Sequence, residues 1–99
     1  MKGRPMVLVT NKGGHDYSDA ERFGRLVYMS SGRLSRFGVS NIVRQFKHYI
    51  ERSGPDDYIL LTSLSVSCAV AAALFAVKHK RLNLLIYKED KYVERKVLL

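Results

Sequence analysis

The chain is poor in cysteine and in acidic residues, and each shortage excludes something. A lone cysteine, Cys68, rules out an intramolecular disulfide and any Cys-rich metal site. It lies among Ser67, Ala69 and Val70, where a thiol serves as a small buried hydrophobe, and a reducing interior suits it best. His15, His48 and His79 fall on different segments, and no Cys or carboxylate spacing completes a ligand set, so neither a metal nor a cofactor is expected. No G-x-G-x-x-G follows a strand, Lys12-Gly13-Gly14 lacks P-loop spacing, and no serine occupies a G-x-S-x-G elbow. Repeats, linkers and low-complexity tracts are missing as well. The apolar stretch after Met1-Lys2 is too short for a secretory signal.

Nine Asp and Glu stand against seventeen Lys and Arg, a formal charge of +8 with a pI near 9.9. That imbalance turns the protein toward anions: a nucleotide, nucleic acid or an acidic protein surface. At 46% hydrophobic and 26% charged the composition is that of a folded globule, and 99 residues make a single domain over residues 1–99.

Tyr58 to Val77 is a run of twenty residues without a charge, about the length that spans a bilayer. Thr62, Ser63, Ser65 and Ser67 interrupt it, and its Tyr/Ile/Leu half differs from its Ala-rich half. The split predicts a buried strand, a turn and a buried helix, and no membrane association.

The remaining elements follow the same logic. Met6–Val9 is a short apolar strand. "SDAE" at Ser18–Glu21 has the capping-box pattern of a short helix that Gly24 stops. "RLVYMS" (Arg25–Ser30) is a second strand, and a basic loop, Ser31–Gly38, follows. Ser40 is placed to cap a helix whose Ile42, Val43, Phe46, Tyr49 and Ile50 recur at helical spacing, with Gly54-Pro55 as its left-handed stop. Asp57–Thr62 reads as a central strand apolar on both faces, and Val66–Val77 as a helix. Lys78, Lys80 and Arg81 offset that helix's dipole. Arg81–Tyr87 and Tyr92–Leu98 form a terminal hairpin, its last strand bearing the Glu94, Arg95 and Lys96 that suit an exposed edge. Beyond them Val97, Leu98 and Leu99 offer a partner an apolar end. This alternation predicts an α/β fold: a small Rossmann-like three-layer sandwich, mostly parallel, with a C-terminal antiparallel hairpin.

In such sheets ligands bind beyond the carboxyl ends of the strands. Three loops are expected there: "NKGGHDYS", "SSGRLSR" and "TSLSVS". Lys12, Gly13, Gly14, His15, Ser31, Gly32, Arg33, Arg36, Ser63 and Ser65 are the candidate anion-binding residues. Glycines let backbone amides approach a phosphate, the cations supply charge, and the helix after Ser65 adds its dipole. Each group alone has a plainer duty as turn, cap or solvated charge; their coincidence at one edge makes the site. His15-Asp16 is the weak catalytic candidate, a carboxylate beside an imidazole. Arg44, His48 and Arg52, four residues apart with Lys47 beside them, form a helix stripe able to follow a nucleic-acid backbone or merely to face solvent.

With "GGHDYSDAERFG", "PDDYILLTSL", "RLNLLIY" and "KYVER" together, the chain resembles a group of short α/β proteins encoded by tailed bacteriophages. Gly13, Gly14, His15, Asp16 and Tyr17 carry the most recognisable motif. The resemblance implies a viral setting, hence the host cytoplasm, and brings no activity with it. The leading expectation is a non-enzymatic phage accessory protein that binds a nucleotide or a nucleic-acid phosphate. The alternatives are a protein-interaction or virion component without a small ligand, and a small nucleotide-processing enzyme using His15 and Asp16.

Overall fold

In the computed structural model, which describes residues 3–35 and 37–99, the strands are β1 (Met6–Val9), β2 (Arg25–Tyr28), β3 (Tyr58–Leu60), β4 (Arg81–Lys88) and β5 (Lys91–Leu98). The helices are α1 (Val39–Ile50) and α2 (Ser65–His79), with a 3-10 helix at Ser18–Arg22 between β1 and β2. The sheet order is β2-β1-β3-β4-β5. Neighbours are parallel as far as β4, and β5 is antiparallel to it. This is a mixed α/β fold, mostly parallel with an antiparallel C-terminal pair.

Alternation along β1 explains the core. Leu8 points to one face and Val7 and Val9 to the other, as the period of two in a strand requires. On the first face Leu8, Met29 and Ile59 meet Ile42, Phe46 and Ile50 of α1 and Val70, Ala71 and Phe75 of α2. Phe46 and Phe75 are completely buried, and truncating either to alanine is a change of the kind that costs ~3–5 kcal/mol. The 3-10 segment closes the opposite face, bringing Tyr17 and Ala20 onto Val7, Val9, Leu60 and Leu85. One register row runs Val27, Leu8, Ile59, Leu84, Arg95, so the sheet is apolar at its centre and charged at its β5 edge. The long uncharged run divides as its composition implies, with β3 ending at Leu60 and α2 beginning at Ser65. No helix among the described residues is long and apolar enough to cross a membrane.

The helix ends differ from the sequence expectation in instructive ways. The N-cap residue of the 3-10 helix, Tyr17, makes no side-chain cap, and the capping box at Ser18–Glu21 does not form. The segment is a 3-10 rather than an α-helix, which removes the register the reciprocal bonds need. Asp16 takes the role instead, its Oδ1 accepting the Ser18 N–H at 2.9 Å. Ser40 is no cap either, because α1 already starts at Val39 with Gly38 at the N-cap position. Gly54 does not supply a left-handed stop: α1 closes through right-handed Glu51, and the Gly54 N–H donates to Asp57 Oδ2 at 2.8 Å. The left-handed cap belongs to Lys80, after α2. Gly24 is required for space rather than for φ. A Cβ there would lie 2.3 Å from the Pro5 carbonyl oxygen, where the chain enters β1.

Lys78 does more than offset the α2 dipole. Its ammonium reaches across to the end of α1 and donates to the carbonyls of Ile50 (3.1 Å), Glu51 (2.6 Å) and Ser53 (3.0 Å), where a cation also complements the helix C-terminus. Asn83, fully buried, donates to the Pro55 and Asp57 carbonyls at 2.7 and 2.8 Å and ties the turn before β3 to β4. Glu89 and Asp90 both take positive φ, as a two-residue hairpin matched to strand twist demands.

Candidate functional site

Because β1, β2 and β3 are parallel neighbours, the loops that leave them emerge along one edge of the sheet. The first two are stitched together. Lys12 and Ser31 form an isolated parallel bridge, and the Asn11 side chain donates to the Gly32 carbonyl at 3.0 Å. The Ser30 hydroxyl, bonded within reach of both the Thr10 carbonyl (2.7 Å) and Asn11 Oδ1 (2.9 Å), holds the same junction. The third loop is tied to the first through Thr10 and Thr62, whose hydroxyl oxygens are 2.8 Å apart. Cys68 closes that turn from below. Its Sγ lies 3.3 Å from both the Thr62 N–H and the Thr62 carbonyl, so the half-buried thiol is a hydrogen-bonding group and not simply an apolar filler.

Chain order reverses between β1, which leads outward to β2, and β3, which leads the other way to β4. A cavity of about 400 Å³ opens beside that reversal. Its walls come from His15, Asp16 and Tyr17 after β1, from Leu61, Thr62 and Ser63 after β3, and from Ile86, Tyr87 and Tyr92 at the hairpin end. Three tyrosines therefore surround it, with Tyr87 and Tyr92 packed edge to face at 5.2 Å. Tyr17 is buried and braces the first loop: its hydroxyl accepts the Gly13 N–H at 2.9 Å and donates to the Asn11 carbonyl at 3.2 Å. Tyr92 is held from outside the cavity, its N–H donating to Asp19 Oδ2 at 2.7 Å and its carbonyl accepting from Arg22 at 2.5 Å. Burial pushes the Tyr92 phenol up to about 12, so it stays protonated. The Tyr87 phenol, bonded to Asp90 at 3.0 Å, is also raised by that carboxylate.

Among the described residues, Asp16 is the one carboxylate on the wall. The Ser18 N–H holds its carboxyl below the usual carboxylate range, with the Ser18 side chain adding to the effect. It is thus an anion and an acceptor, with Oδ1 on the Ser18 N–H. The His15 ring packs against Tyr17, with centroids 6.4 Å apart.

The candidate residues of the three loops separate into groups. His15, Asp16 and Ser63 line the cavity. Lys12 stands two rings away, its ammonium 4.9 Å above the centre of Tyr28, which in turn packs on Tyr17. Gly13 and Gly32 use their N–H groups within the loops, on Tyr17 and on the Lys12 carbonyl. Gly14, Ser31, Arg33 and Ser65 are exposed on the same edge, and Arg36 lies outside the described residues. On α1, Arg44, Lys47 and His48 are exposed; the helix ends at Ile50, so Arg52, the fourth member of the expected stripe, is exposed in the turn beyond it, bonded to the His48 ring and carbonyl at 2.6 and 2.9 Å. No three His, Cys, Asp or Glu side chains among the described residues are grouped to hold a metal ion.

The family model of the phage Pam3 gp32-like proteins matches residues 7–99, from β1 to the end of the hairpin. The chain belongs to that family. No curated protein and no solved structure matches it. The phage setting implied by the motif order is therefore shown, and the matched span takes in every wall of the cavity.

The hairpin side of the cavity carries no loop signature in the sequence. Ile86, Tyr87 and Tyr92 look like ordinary strand residues, and nothing local marks them as facing a loop some seventy residues earlier. The available signal was a pair of tyrosines flanking a tight turn, aromatic groups placed at a sheet edge.

Proposed function

We propose that the protein binds a nucleotide, or a nucleic-acid phosphate with its base, in the cavity at the carboxyl edge of the sheet, without transforming it. The strand order, with α1 and α2 on one face and the 3-10 helix on the other, supports reading the fold as a small Rossmann-like three-layer sandwich, in which the reversal of chain order is the favoured ligand position. The observation that carries the reading is the position of the cavity. Ser63 lies on its wall and leads directly into the N-terminus of α2, where helix amides and dipole favour a phosphate, while tyrosine rings on the opposite wall favour a base. Lys12 and Arg33, on the adjoining loops, add long-range attraction for the anion. The commitment of Asp16 to Ser18 argues for binding over catalysis. In an infected cell such a protein would act in the host cytoplasm, sequestering a nucleotide or engaging nucleic acid.

Thermal unfolding against a panel of nucleoside monophosphates tests this. A nucleotide should raise the melting temperature of the wild type. Ser63→Asp, which puts a negative charge at the phosphate position, should abolish the shift, and Lys12→Ala with Arg33→Ala should weaken it. No shift with any nucleotide at millimolar concentration would remove the proposal.

The exposed face of α1 supports a second contact. Its first turn has no acidic residue, Arg44 and Lys47 are exposed on it, and Arg52 is exposed in the turn just past its end, as a nucleic-acid backbone would require. Replacing all three with alanine should lower the salt concentration that elutes the protein from heparin and from DNA. Unchanged elution would leave α1 a solvated face.

A further inference from the structure

We infer that the cavity selects its base and prefers guanine, through the Asp16 carboxylate on its wall. This rests on the nucleotide reading above and names the ligand within it. Among the described residues no Lys or Arg lines the cavity, so the only formal charge meeting a ligand there is negative. An ionised carboxylate has acceptor capacity and no proton to give. It therefore selects a ligand edge made of donors. Guanine presents N1–H and the exocyclic N2–H side by side, matching Oδ2 and the second acceptor site of Oδ1, whose first takes the Ser18 N–H. Adenine and cytosine each set an amine beside a ring nitrogen lone pair, which a carboxylate repels. Uracil flanks its single N–H with two carbonyl oxygens.

Two further features fit this arrangement. The Asp16 carboxylate is already oriented, because Oδ1 accepts the Ser18 N–H, so little side-chain freedom is lost when a base docks. A base also has a surface to lie on. Tyr87 is 55% exposed on the opposite wall and is held in place edge to face by the buried Tyr92. Stacking is tolerant of sequence, so the carboxylate supplies the discrimination. His15, beside Asp16 on the wall, carries the ring N–H that a carbonyl such as guanine O6 accepts from.

Calorimetric titration of the intact protein with GMP, IMP, AMP, XMP and inorganic phosphate tests the assignment. GMP should bind at least about tenfold tighter than AMP, with IMP, lacking the exocyclic amine, in between; a well-formed two-point contact gives discrimination of this order. In Asp16→Asn, where the side chain offers one donor and one acceptor, GMP should weaken and XMP, which has a carbonyl in place of the amine, should strengthen. A purely structural role for Asp16 at the Ser18 turn would not produce that exchange. Equal binding of GMP and AMP, both lost in Tyr87→Ala, would overturn the guanine assignment and leave nucleotide binding in place. Binding of phosphate alone, or of none of the five, would overturn both.

Discussion

The carboxylate of Asp19 accepts the backbone N–H of Tyr92 at 2.7 Å, and with Arg22 on the Tyr92 carbonyl it covers both polar groups of that residue at the sheet's outer edge. The 3-10 helix thus guards the start of an edge strand that would otherwise offer a template for pairing. It also fixes one wall of the cavity, because Tyr92 is in that wall. Asp19→Ala should lower the melting temperature and speed hydrogen exchange at Tyr92, while Asp19→Asn, which keeps an acceptor oxygen, should be milder. The bond to the Tyr92 N–H holds the Asp19 carboxyl below its usual range. Its stabilising effect is therefore present above the unfolded carboxylate value of about 3.9 and is lost as pH falls through the lower folded value. Acid unfolding of Asp19→Ala should lack that part of the wild-type slope. Identical acid limbs would show that the contact does not persist in solution.

Gly24 and Gly14 make a matched pair. Gly24→Ala drives a methyl into the Pro5 carbonyl, and the backbone there must shift, at a cost of ~1–3 kcal/mol. Gly14→Ala meets open space and should change stability by less than about 0.5 kcal/mol. Urea unfolding of the two variants checks both values, and equal midpoints would refute the steric argument.

Lys78 is the tie between the helices. Lys78→Met keeps the alkyl stem but removes three donors from the α1 C-terminus, and about 1 kcal/mol of stability should go with them. The loss should fall mainly on hydrogen exchange near residues 50–54. A uniform change along the chain would speak for a global effect instead.

His79 links the same region to pH. Ser53 Oγ lies 2.6 Å from the Ile50 carbonyl, to which it donates, so at 2.8 Å it accepts from His79 Nε2–H. Burial lowers the His79 pKa, and the neighbouring Lys78 ammonium lowers it further. The folded state therefore favours the neutral ring. Stability from this group is complete above the unfolded value of about 6.5 and falls as pH drops through the lower folded value. His79→Gln, which keeps a donor for Ser53 but does not titrate, should show a smaller decline in urea midpoint between pH 7.5 and 5. A decline equal to that of the wild type would place the titration elsewhere.

Much of this fold could be read from periodicity. Ile42, Phe46 and Ile50 lie four apart and pack on the sheet as that spacing demands, and β1 spans Met6–Val9 as its apolar run implies. Helix ends were less legible. Ser18 and Ser40 carry the right chemistry for caps, but one segment wound as a 3-10 helix and the other began a residue early. The cavity was half legible: the loop residues His15, Asp16 and Ser63 signalled it, while Tyr87 and Tyr92 did not.

By itself the sequence determined the order of the elements, the burial of β3, the charged edge and the basic surface, since each follows from local pattern and composition. Only the tertiary structure decided that the hairpin tyrosines close a cavity over the β1 and β3 loops, and that Lys78 serves α1. Those are contacts between segments distant in the chain. They depend on how parallel strands order themselves in the sheet, and no local pattern encodes that.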